Sequence, residues 1–252
     1  MTELETIAGV AEPGKLYGIG VGPGDVRYMT LRAAGLVRSV DVLAYFAKRG
    51  RMGNARKIVA PLVAPARREL KLEYPLTDEV HVSDPAYGEA IARFYRESAE
   101  TLKNELGEGR SVGLLAEGDP FFYGSFMHMW RRLEGSVAVE VVPGVTGMSG
   151  CWTRANTPMT WGDDVLSVVP GTLSEALLVE RLTRCDAAVI MKVGRNLAKV
   201  RRAVETAGMI DRAIYIERGT MSEERIMPLR ACADEIGPYF AMVIIPGNGR
   251  RI

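Results

Sequence analysis

Short apolar runs alternate along this chain with longer stretches of helical period, and this alternation restricts the possible folds more than any other feature. The apolar runs, rich in β-branched residues, predict strands at residues 15–21, 40–45, 111–116, 137–142, 165–169, 187–191, 213–216 and 240–245. The segments between them predict helices at residues 30–39, 85–106, 125–133, 174–183 and 197–207, the second of them capped by Asp84. Several strands are apolar throughout, as is typical of a sheet covered on both faces. We therefore expect an α/β fold with mainly parallel strands.

A segment rich in small residues, 144–158, separates the two sets of predicted strands. We place a domain boundary near its end, because each set of strands can then form its own lobe. The expected organisation is a polar N-terminal tail at 1–13, an N-terminal α/β lobe at 14–158 and a C-terminal α/β lobe at 159–252. A chain of 252 residues is long enough for two lobes of this size.

Composition and charge argue against several classes of protein. The net charge of +1 disfavours a nucleic-acid-binding protein that works through bulk electrostatics. No apolar run reaches the roughly 18 residues of a membrane span, and the first residues lack the pattern of a signal peptide. Three widely spaced cysteines and only two histidines favour reduced thiols and argue against a metal site. We therefore expect a cytoplasmic protein without a metal, nucleic-acid or membrane partner.

A glycine-rich sequence, Gly18-Ile-Gly-Val-Gly-Pro-Gly-Asp25, closes the first predicted strand. It fails the dinucleotide-binding pattern G-x-G-x-x-G because Pro23 and Asp25 stand where glycine is required. This argues against a nicotinamide-dependent oxidoreductase, and the acidic Asp25 disfavours a bound phosphate. Glycine allows close approach of the backbone either to a ligand or to another chain segment. At this point both interpretations stay open.

Two further loops of this kind follow the predicted strands 111–116 and 137–142. The first reads Glu-Gly-Asp-Pro-Phe-Phe-Tyr-Gly-Ser over residues 117–125, and the second Pro-Gly-Val-Thr-Gly-Met-Ser-Gly over residues 143–150. Ligands of α/β proteins bind at the carboxyl ends of parallel strands. The three loops together therefore predict a pocket, although the aromatic residues 121–123 have lobe packing as an alternative role.

These motifs, in this order and at this spacing, resemble the signature of the tetrapyrrole methylase family. The resemblance rests on residues 20–25, 118–125 and 142–144, on later blocks at 191–192, 217–220 and 239–245, and spans about residues 15–246. Further blocks at 45–56, 117–126, 144–152, 170–173 and 190–196 are similar to members that act on carbon C-20 of the macrocycle. Glu117 stands where members that make precorrin-2 typically have glycine, so the cofactor contacts of those members do not transfer directly to this position.

The resemblance implies two α/β lobes, usually in a homodimer, with S-adenosylmethionine held in a cleft between them. The reaction it implies is methyl transfer to C-20 of precorrin-2 in cobalamin biosynthesis, with S-adenosylhomocysteine as the second product. The same methylation of cobalt-factor II stays open as an alternative, as does, more remotely, a non-catalytic tetrapyrrole-binding protein. An RNA ribose methylase or a diphthine synthase of the same fold is disfavoured, because neither is expected to contain the block at 45–56.

The resemblance also implies which residues bind the cofactor. From the N-terminal lobe these are Pro23, Gly118, Asp119, Phe122, Thr146 and Gly147. From the C-terminal lobe they are Met191, Gly219, Thr220, Ala241 and Met242. A sulfonium cation favours such a neighbourhood of backbone dipoles and small residues, without arginine.

Catalytic and substrate-binding candidates lie on the same loops. Removal of a proton after methyl transfer requires a base, for which the candidates are Asp25, Glu117, Asp119 and Tyr123; Asp25 and Asp119 can equally hold local structure. A tetrapyrrole rich in carboxylates calls for cations, and forked guanidinium groups suit carboxylates. The substrate-binding candidates are the basic segment after the second strand and three later arginines: Lys48, Arg49, Arg51, Arg56, Lys57, Arg154, Arg195 and Arg218. A solvated basic surface is the alternative interpretation of this segment.

Overall fold

The computed structural model describes residues 3–75 and 85–249. The chain divides into two compact units, Met1–Thr146 and Gly147–Ile252. Residues 147–158, which the sequence analysis placed in the first lobe, belong to the second unit. Each unit contains one five-stranded sheet with helices packed against it.

The first unit is built around a parallel sheet. Its strands are β1 (Lys15–Gly20), β2 (Val42–Lys48), β3 (Arg68–Tyr74), β4 (Val112–Ala116) and β5 (Ala138–Val142). Its helices are α1 (Glu3–Ala8), α2 (Leu31–Ser39), α3 (Asn54–Ile58), α4 (Pro85–Gly107) and α5 (Phe126–Leu133). The strand order is β3-β2-β4-β1-β5, and all four pairings between these strands are parallel. The carboxyl ends of the five strands therefore lie at one edge of the sheet.

Both faces of this sheet are buried, which explains why its central strands are apolar throughout. Successive residues of β1 point to opposite faces. Leu16 packs in a cluster with Leu102 of α4 and Met129 of α5. Tyr17 and Ile19 pack in a second cluster with α2, including Leu36. Burial of these faces against helices stabilises the arrangement of the loops at the carboxyl edge.

The second unit contains a mixed sheet. Its strands are β6 (Leu166–Pro170), β7 (Ala187–Met191), β8 (Ile214–Glu217), β9 (Arg225–Pro228) and β10 (Ala241–Ile245). Its helices are α6 (Gly147–Arg154), α7 (Glu175–Leu182) and α8 (Leu197–Thr206). The strand order is β6-β7-β10-β8-β9; β6 and β7 are parallel, whereas β10 is antiparallel to β7 and β8, and β8 is antiparallel to β9. The expectation of mainly parallel strands is therefore right for the first sheet and wrong for the second. The short link between β8 and β9 allows a hairpin, whereas a parallel pair needs a long crossover.

The predicted elements are all present, with bounds that differ by at most three residues. The proposed cap of α4, Asp84, lies outside the described residues. The sequence analysis did not predict α1, α3, α6, β3 or β9. Residues 3–13 are not simply a tail, because Ala8 of α1 is buried against Gly35 of α2. None of the helices in the described ranges combines the length and the apolar character that a membrane span needs.

Candidate active site

Three predicted loops meet at the carboxyl edge of the first sheet. Because β1 lies between β4 and β5, the loops that follow these three strands are neighbours. The loop after β1 pairs with the loop after β4 through an antiparallel bridge: Gly118 donates its N–H to the carbonyl of Gly22 at 2.8 Å, and Gly22 donates back at 3.3 Å. These loops therefore lie beside one another, as expected from the sequence.

Gly20 and Gly144 lack room for a side chain because other loops fill that space. A Cβ atom at Gly144 would overlap the carbonyl oxygen of Gly118 and lie 2.9 Å from the Cα atom of Gly20. A Cβ atom at Gly20 would lie 2.6 Å from the nitrogen of Gly144. Of the two interpretations of the glycine-rich motif, close approach of one chain segment to another therefore explains these two glycines.

Asp119 ties the loop after β4 to the loop after β5. Its Oδ2 atom accepts the backbone N–H of Gly144 at 3.1 Å, and its Oδ1 atom accepts that of Phe121 at 2.9 Å. The carbonyl of Asp119 accepts the N–H of Phe122 at 3.2 Å. No basic side chain among the described residues forms an ion pair with Asp119. The carboxylate therefore fixes the loops and leaves a negative charge at this edge of the sheet.

Two of the base candidates make local contacts. Asp25 caps the short turn Val26–Tyr28: its Oδ1 atom accepts the N–H of Arg27 at 2.9 Å, and its Oδ2 atom lies 2.6 Å from the Arg27 guanidinium. Glu117 is half-buried, and its Oε1 atom accepts the N–H of Ala55 near the start of α3 at 3.1 Å. Desolvation raises the pKa of Glu117 above its ordinary value, although backbone N–H groups, including that of Ala55, oppose the shift.

Tyr123 differs from these carboxylates. It is 41% exposed, and its backbone has a φ of 53°, in the left-handed region. Its ring meets that of Phe122 edge-on, with the centroids 4.9 Å apart. Among the four candidates for the base, Tyr123 is the most exposed residue.

The basic segment after β2 separates into two groups. Arg56 forms an ion pair with Glu69 of β3, with Nε and Nη2 at 2.9 and 2.6 Å from Oε1, and only 13% of its side chain is exposed. This guanidinium, together with a bond from Tyr45, lowers the pKa of Glu69. Arg49 and Arg51 are exposed in the turn that follows the strand. Arg56 therefore joins α3 to β3, while the two turn arginines present their charge to solvent.

In the second unit, most of the predicted cofactor residues lie on the α6 side of the sheet. Met242 of β10 and Met191 of β7 pack with Cys151 of α6. A Cβ atom at Gly147, where α6 begins, would lie 3.8 Å from Cε of Met242, and one at Gly219 would lie 2.5 Å from Sγ of Cys151. These positions therefore share one face.

Ala241 is the exception. Its side chain packs on the other face of the second sheet, in the cluster that contains Leu197 and Val200 of α8. The reason is the alternation along β10, since neighbouring residues of a strand point to opposite faces. Only backbone atoms of Ala241 are therefore available on the α6 face.

Four non-glycine residues with positive φ follow the strands that the resemblance connects with the cofactor. Tyr123 follows β4, Lys192 (55°) follows β7, and Arg218 (49°) and Thr220 (71°) follow β8. Each such conformation costs on the order of 1 kcal/mol or more and is concentrated at functional sites. One more in the described ranges, Asn156, follows α6. The backbone strain thus coincides with the predicted loops.

Arg154 contacts a residue that the sequence analysis missed. Its guanidinium lies 2.8–2.9 Å from the carboxylate of Glu224, and this carboxylate also accepts the N–H of Thr220 at 2.7 Å. Glu224 belongs to no motif, and it lies in the link before β9, a strand that was not predicted. Only the fold shows that it joins α6 to the loop after β8.

Comparison with known proteins identifies the family. Residues 15–232 match the family described as Tetrapyrrole (Corrin/Porphyrin) Methylases. The chain belongs to the tetrapyrrole methylases. The predicted family and the predicted methyltransferase class are thereby confirmed.

Relatives of this tetrapyrrole methylase cover almost its whole length. A precorrin-2 C(20)-methyltransferase of Sinorhizobium sp. is 51% identical over 93% of this chain and 96% of the relative. A cobalt-precorrin-2 C(20)-methyltransferase of Salmonella typhimurium is 28% identical over 92% of this chain and 96% of the relative. The structure of a uroporphyrin-III C-methyl transferase from Thermus thermophilus, complexed with S-adenosyl homocysteine, superimposes with a TM-score of 0.63 at 22% identity, covering 92% of this chain and 97% of that chain. This last likeness shows the shared fold.

Proposed function

We propose that this chain transfers a methyl group from S-adenosylmethionine to carbon C-20 of precorrin-2, giving precorrin-3A in cobalamin biosynthesis. The observation that supports this most strongly is the 51% identity, over nearly the whole length, to a relative named precorrin-2 C(20)-methyltransferase. The relative named for the cobalt-containing substrate is only 28% identical. This difference favours the metal-free macrocycle.

The residues at the loops suit a sulfonium cofactor. Asp119 carries a negative charge that no basic side chain in the described ranges balances by an ion pair, and the backbone around Gly118 and Gly144 offers dipoles. On the α6 face of the second unit, Met191 and Met242 offer apolar surface beside Gly147. A cation beside a carboxylate and carbonyl dipoles is favourable, whereas a second cation would be repelled. We propose that these residues, with Pro23, Phe122, Thr146, Gly219 and Thr220, bind the cofactor, and that Ala241 contributes through its backbone.

The protein's contribution to the reaction is mainly to position the reactants. S-adenosylmethionine, when bound, would supply an electrophilic methyl group to the nucleophilic carbon C-20, with S-adenosylhomocysteine as the leaving group and the C-20 proton lost to a base or to solvent. Alignment of the two reactants accounts for much of the acceleration in reactions of this kind. Tyr123 has the exposed side chain suited to contact the macrocycle. Asp25 and Glu117 instead position the turn after β1 and the start of α3, because their oxygens accept backbone N–H groups there.

The exposed cations are proposed to bind the carboxylates of the substrate. Arg49 and Arg51 lie in the turn after β2, and Lys48 ends that strand. Guanidinium groups bind carboxylates with two parallel hydrogen bonds, which favours arginine in this role. We assign Arg56 to structure, because its side chain is only 13% exposed and forms an ion pair with Glu69.

The test is anaerobic incubation of the wild-type chain with metal-free precorrin-2 and methyl-labelled S-adenosylmethionine, analysed by mass spectrometry and carbon NMR. One added methyl group at C-20 is expected. Cobalt-factor II is run in parallel, and preferential methylation of it would replace the proposed substrate. A chain that binds the tetrapyrrole but neither binds nor uses S-adenosylmethionine would be the non-catalytic binding protein. A homodimer and a cytoplasmic location remain part of the proposal, tested by light scattering and by cell fractionation.

A further inference from the structure

Glu224 joins a proposed cofactor residue, Thr220, to Arg154, which the sequence indicated as a candidate for binding the substrate. Its Oε2 atom accepts the backbone N–H of Thr220, a proposed cofactor residue, at 2.7 Å. Its Oε1 atom lies 2.9 Å from Nε and 2.8 Å from Nη2 of Arg154, a candidate for binding the substrate. All three residues belong to the second unit. A single carboxylate therefore holds both groups.

The bond to Thr220 supports a strained backbone. Thr220 has a φ of 71°, a strained conformation for a β-branched residue. A hydrogen bond to a charged acceptor is stronger than one between neutral groups. The bond to Glu224 therefore opposes the strain and keeps the N–H of Thr220 in its present direction.

The pairing with Arg154 stabilises the ionised form of Glu224. The side chain of Glu224 is only 14% exposed, while that of Arg154 is 50% exposed. The guanidinium lowers the pKa of Glu224 below its ordinary value, so a carboxylate that is ionised at neutral pH in either case stays ionised further into the acidic range. Since Arg154 is the last residue of α6 and Gly147 the first, the pair also connects the loop after β8 to the helix that begins at a proposed cofactor residue.

We propose that Glu224 is a positioning residue that couples cofactor binding at the Thr220 loop to substrate binding at Arg154. This inference rests on the proposed function. The carboxylate acts through its two neighbours: it orients the peptide unit of Thr220 for the cofactor and the guanidinium of Arg154 for a carboxylate of the tetrapyrrole. Loss of the carboxylate should therefore affect both reactants, whereas loss of Arg154 should affect mainly one.

Three variants separate these roles. Glu224→Ala removes both contacts and is expected to weaken S-adenosylhomocysteine binding about tenfold, or 1.4 kcal/mol, and to raise the KM for the tetrapyrrole. Glu224→Gln retains an oxygen that accepts the N–H of Thr220, so it should recover most of the cofactor affinity but not the KM. Arg154→Ala should raise the KM and leave cofactor affinity within about twofold of wild type.

The matched control is Glu175→Ala. Glu175 of α7 pairs with Arg202 of α8 at 2.9 Å in the same unit, as an exposed ion pair away from the α6 face. It should leave both constants unchanged. Cofactor affinity is measured by calorimetry, the KM from initial rates, and the amide hydrogen exchange of Thr220 by NMR, which should accelerate in Glu224→Ala and stay slow in Arg154→Ala.

Two results would overturn the coupling. One is cofactor affinity in folded Glu224→Ala within twofold of wild type; the other is equal loss in Glu224→Ala and Glu224→Gln, which indicates a purely structural role. Should Glu224→Ala fail to fold, an unchanged KM in Glu224→Gln or in Arg154→Ala overturns it equally. A wild-type chain that binds no S-adenosylhomocysteine refutes the proposed function itself, and the wild-type titration therefore distinguishes the two failures.

Discussion

The backbone N–H of Gly144 donates a 3.1 Å hydrogen bond to the carboxylate of Asp119, and this bond joins the loop after β5 to the loop after β4. The other oxygen of the same carboxylate accepts the N–H of Phe121. Two loops with no sequence proximity thus depend on one side chain.

Substitution of Asp119 should therefore weaken cofactor binding. Asp119→Ala removes both acceptors and should lower the free energy of unfolding by about 1.5–3 kcal/mol and S-adenosylhomocysteine affinity at least tenfold. Asp119→Asn keeps one acceptor oxygen but loses the negative charge, so its cofactor affinity should lie between that of wild type and that of Asp119→Ala. Calorimetric titration and urea unfolding measure these effects. An unchanged titration in Asp119→Asn would refute a role for the charge in cofactor binding.

Gly144→Ala should be far more damaging than its small size suggests. The added methyl group would overlap the carbonyl oxygen of Gly118, which is backbone and has no rotamer to change. We expect a loss of about 3 kcal/mol or more in stability, as for other severe overpacking. Gly88→Ala is the control, because nothing lies within 4 Å of its new Cβ atom in the exposed part of α4; it should be neutral or stabilising by up to about 1 kcal/mol. Similar melting temperatures for the two variants would contradict the packing of the loops.

Arg51 and Arg56 should behave differently although they lie in one basic segment. Arg51→Ala should raise the KM for the tetrapyrrole several-fold with cofactor affinity unchanged, since its side chain is exposed. Arg56→Ala should instead lower the free energy of unfolding by about 1–2 kcal/mol, because its ion pair is partly buried. Glu69→Gln breaks the same pair and serves as its match. A rise in KM for Arg56→Ala without loss of stability would indicate that Arg56 binds the substrate and would contradict the structural role.

Glu117 should make stability depend on pH. The pKa of Glu117 is raised in the folded protein, so folding favours its protonated form. Its contribution to the free energy of unfolding is therefore fully present below the pKa of the unfolded chain, about 4.3, and is lost as the pH rises through the pKa of the folded protein. Glu117→Gln is neutral at every pH and still offers an oxygen to the N–H of Ala55. Its stability relative to wild type should therefore increase from pH 4.5 to pH 7.5 in urea unfolding. A constant difference over this range would contradict a raised pKa.

The strands that could be predicted are those with a run of apolar residues. β4 and β10 are buried at every position, and such strands are recognisable in the sequence as short apolar runs. β3, Arg-Glu-Leu-Lys-Leu-Glu-Tyr, is an edge strand with mostly exposed charged residues, and it is held by its pairing with β2. β9 likewise lies at an edge. The local sequence of β3 or β9 does not show which strand it pairs with, so neither strand was predicted.

The positions of the loops at the candidate site could be predicted from the sequence. The contacts of individual side chains in these loops could not be predicted. The position of a loop at a strand end follows from the order of the elements. That Arg56 faces Glu69, or that Glu224 faces Arg154 and Thr220, depends on contacts between residues distant in the chain. The antiparallel direction of β10 is also a property of the assembled sheet.

The contact among Gly20, Gly118 and Gly144 limits how a protein with this fold can diversify. The three loops contact one another through their main chains. One loop therefore cannot be exchanged alone between relatives, because the backbone of a replacement loop would not fit the two loops that remain. A graft intended to change which macrocycle is methylated should therefore transplant all three loops together, or leave them untouched. New specificity is more easily acquired at exposed side chains outside this contact, such as that of Arg51.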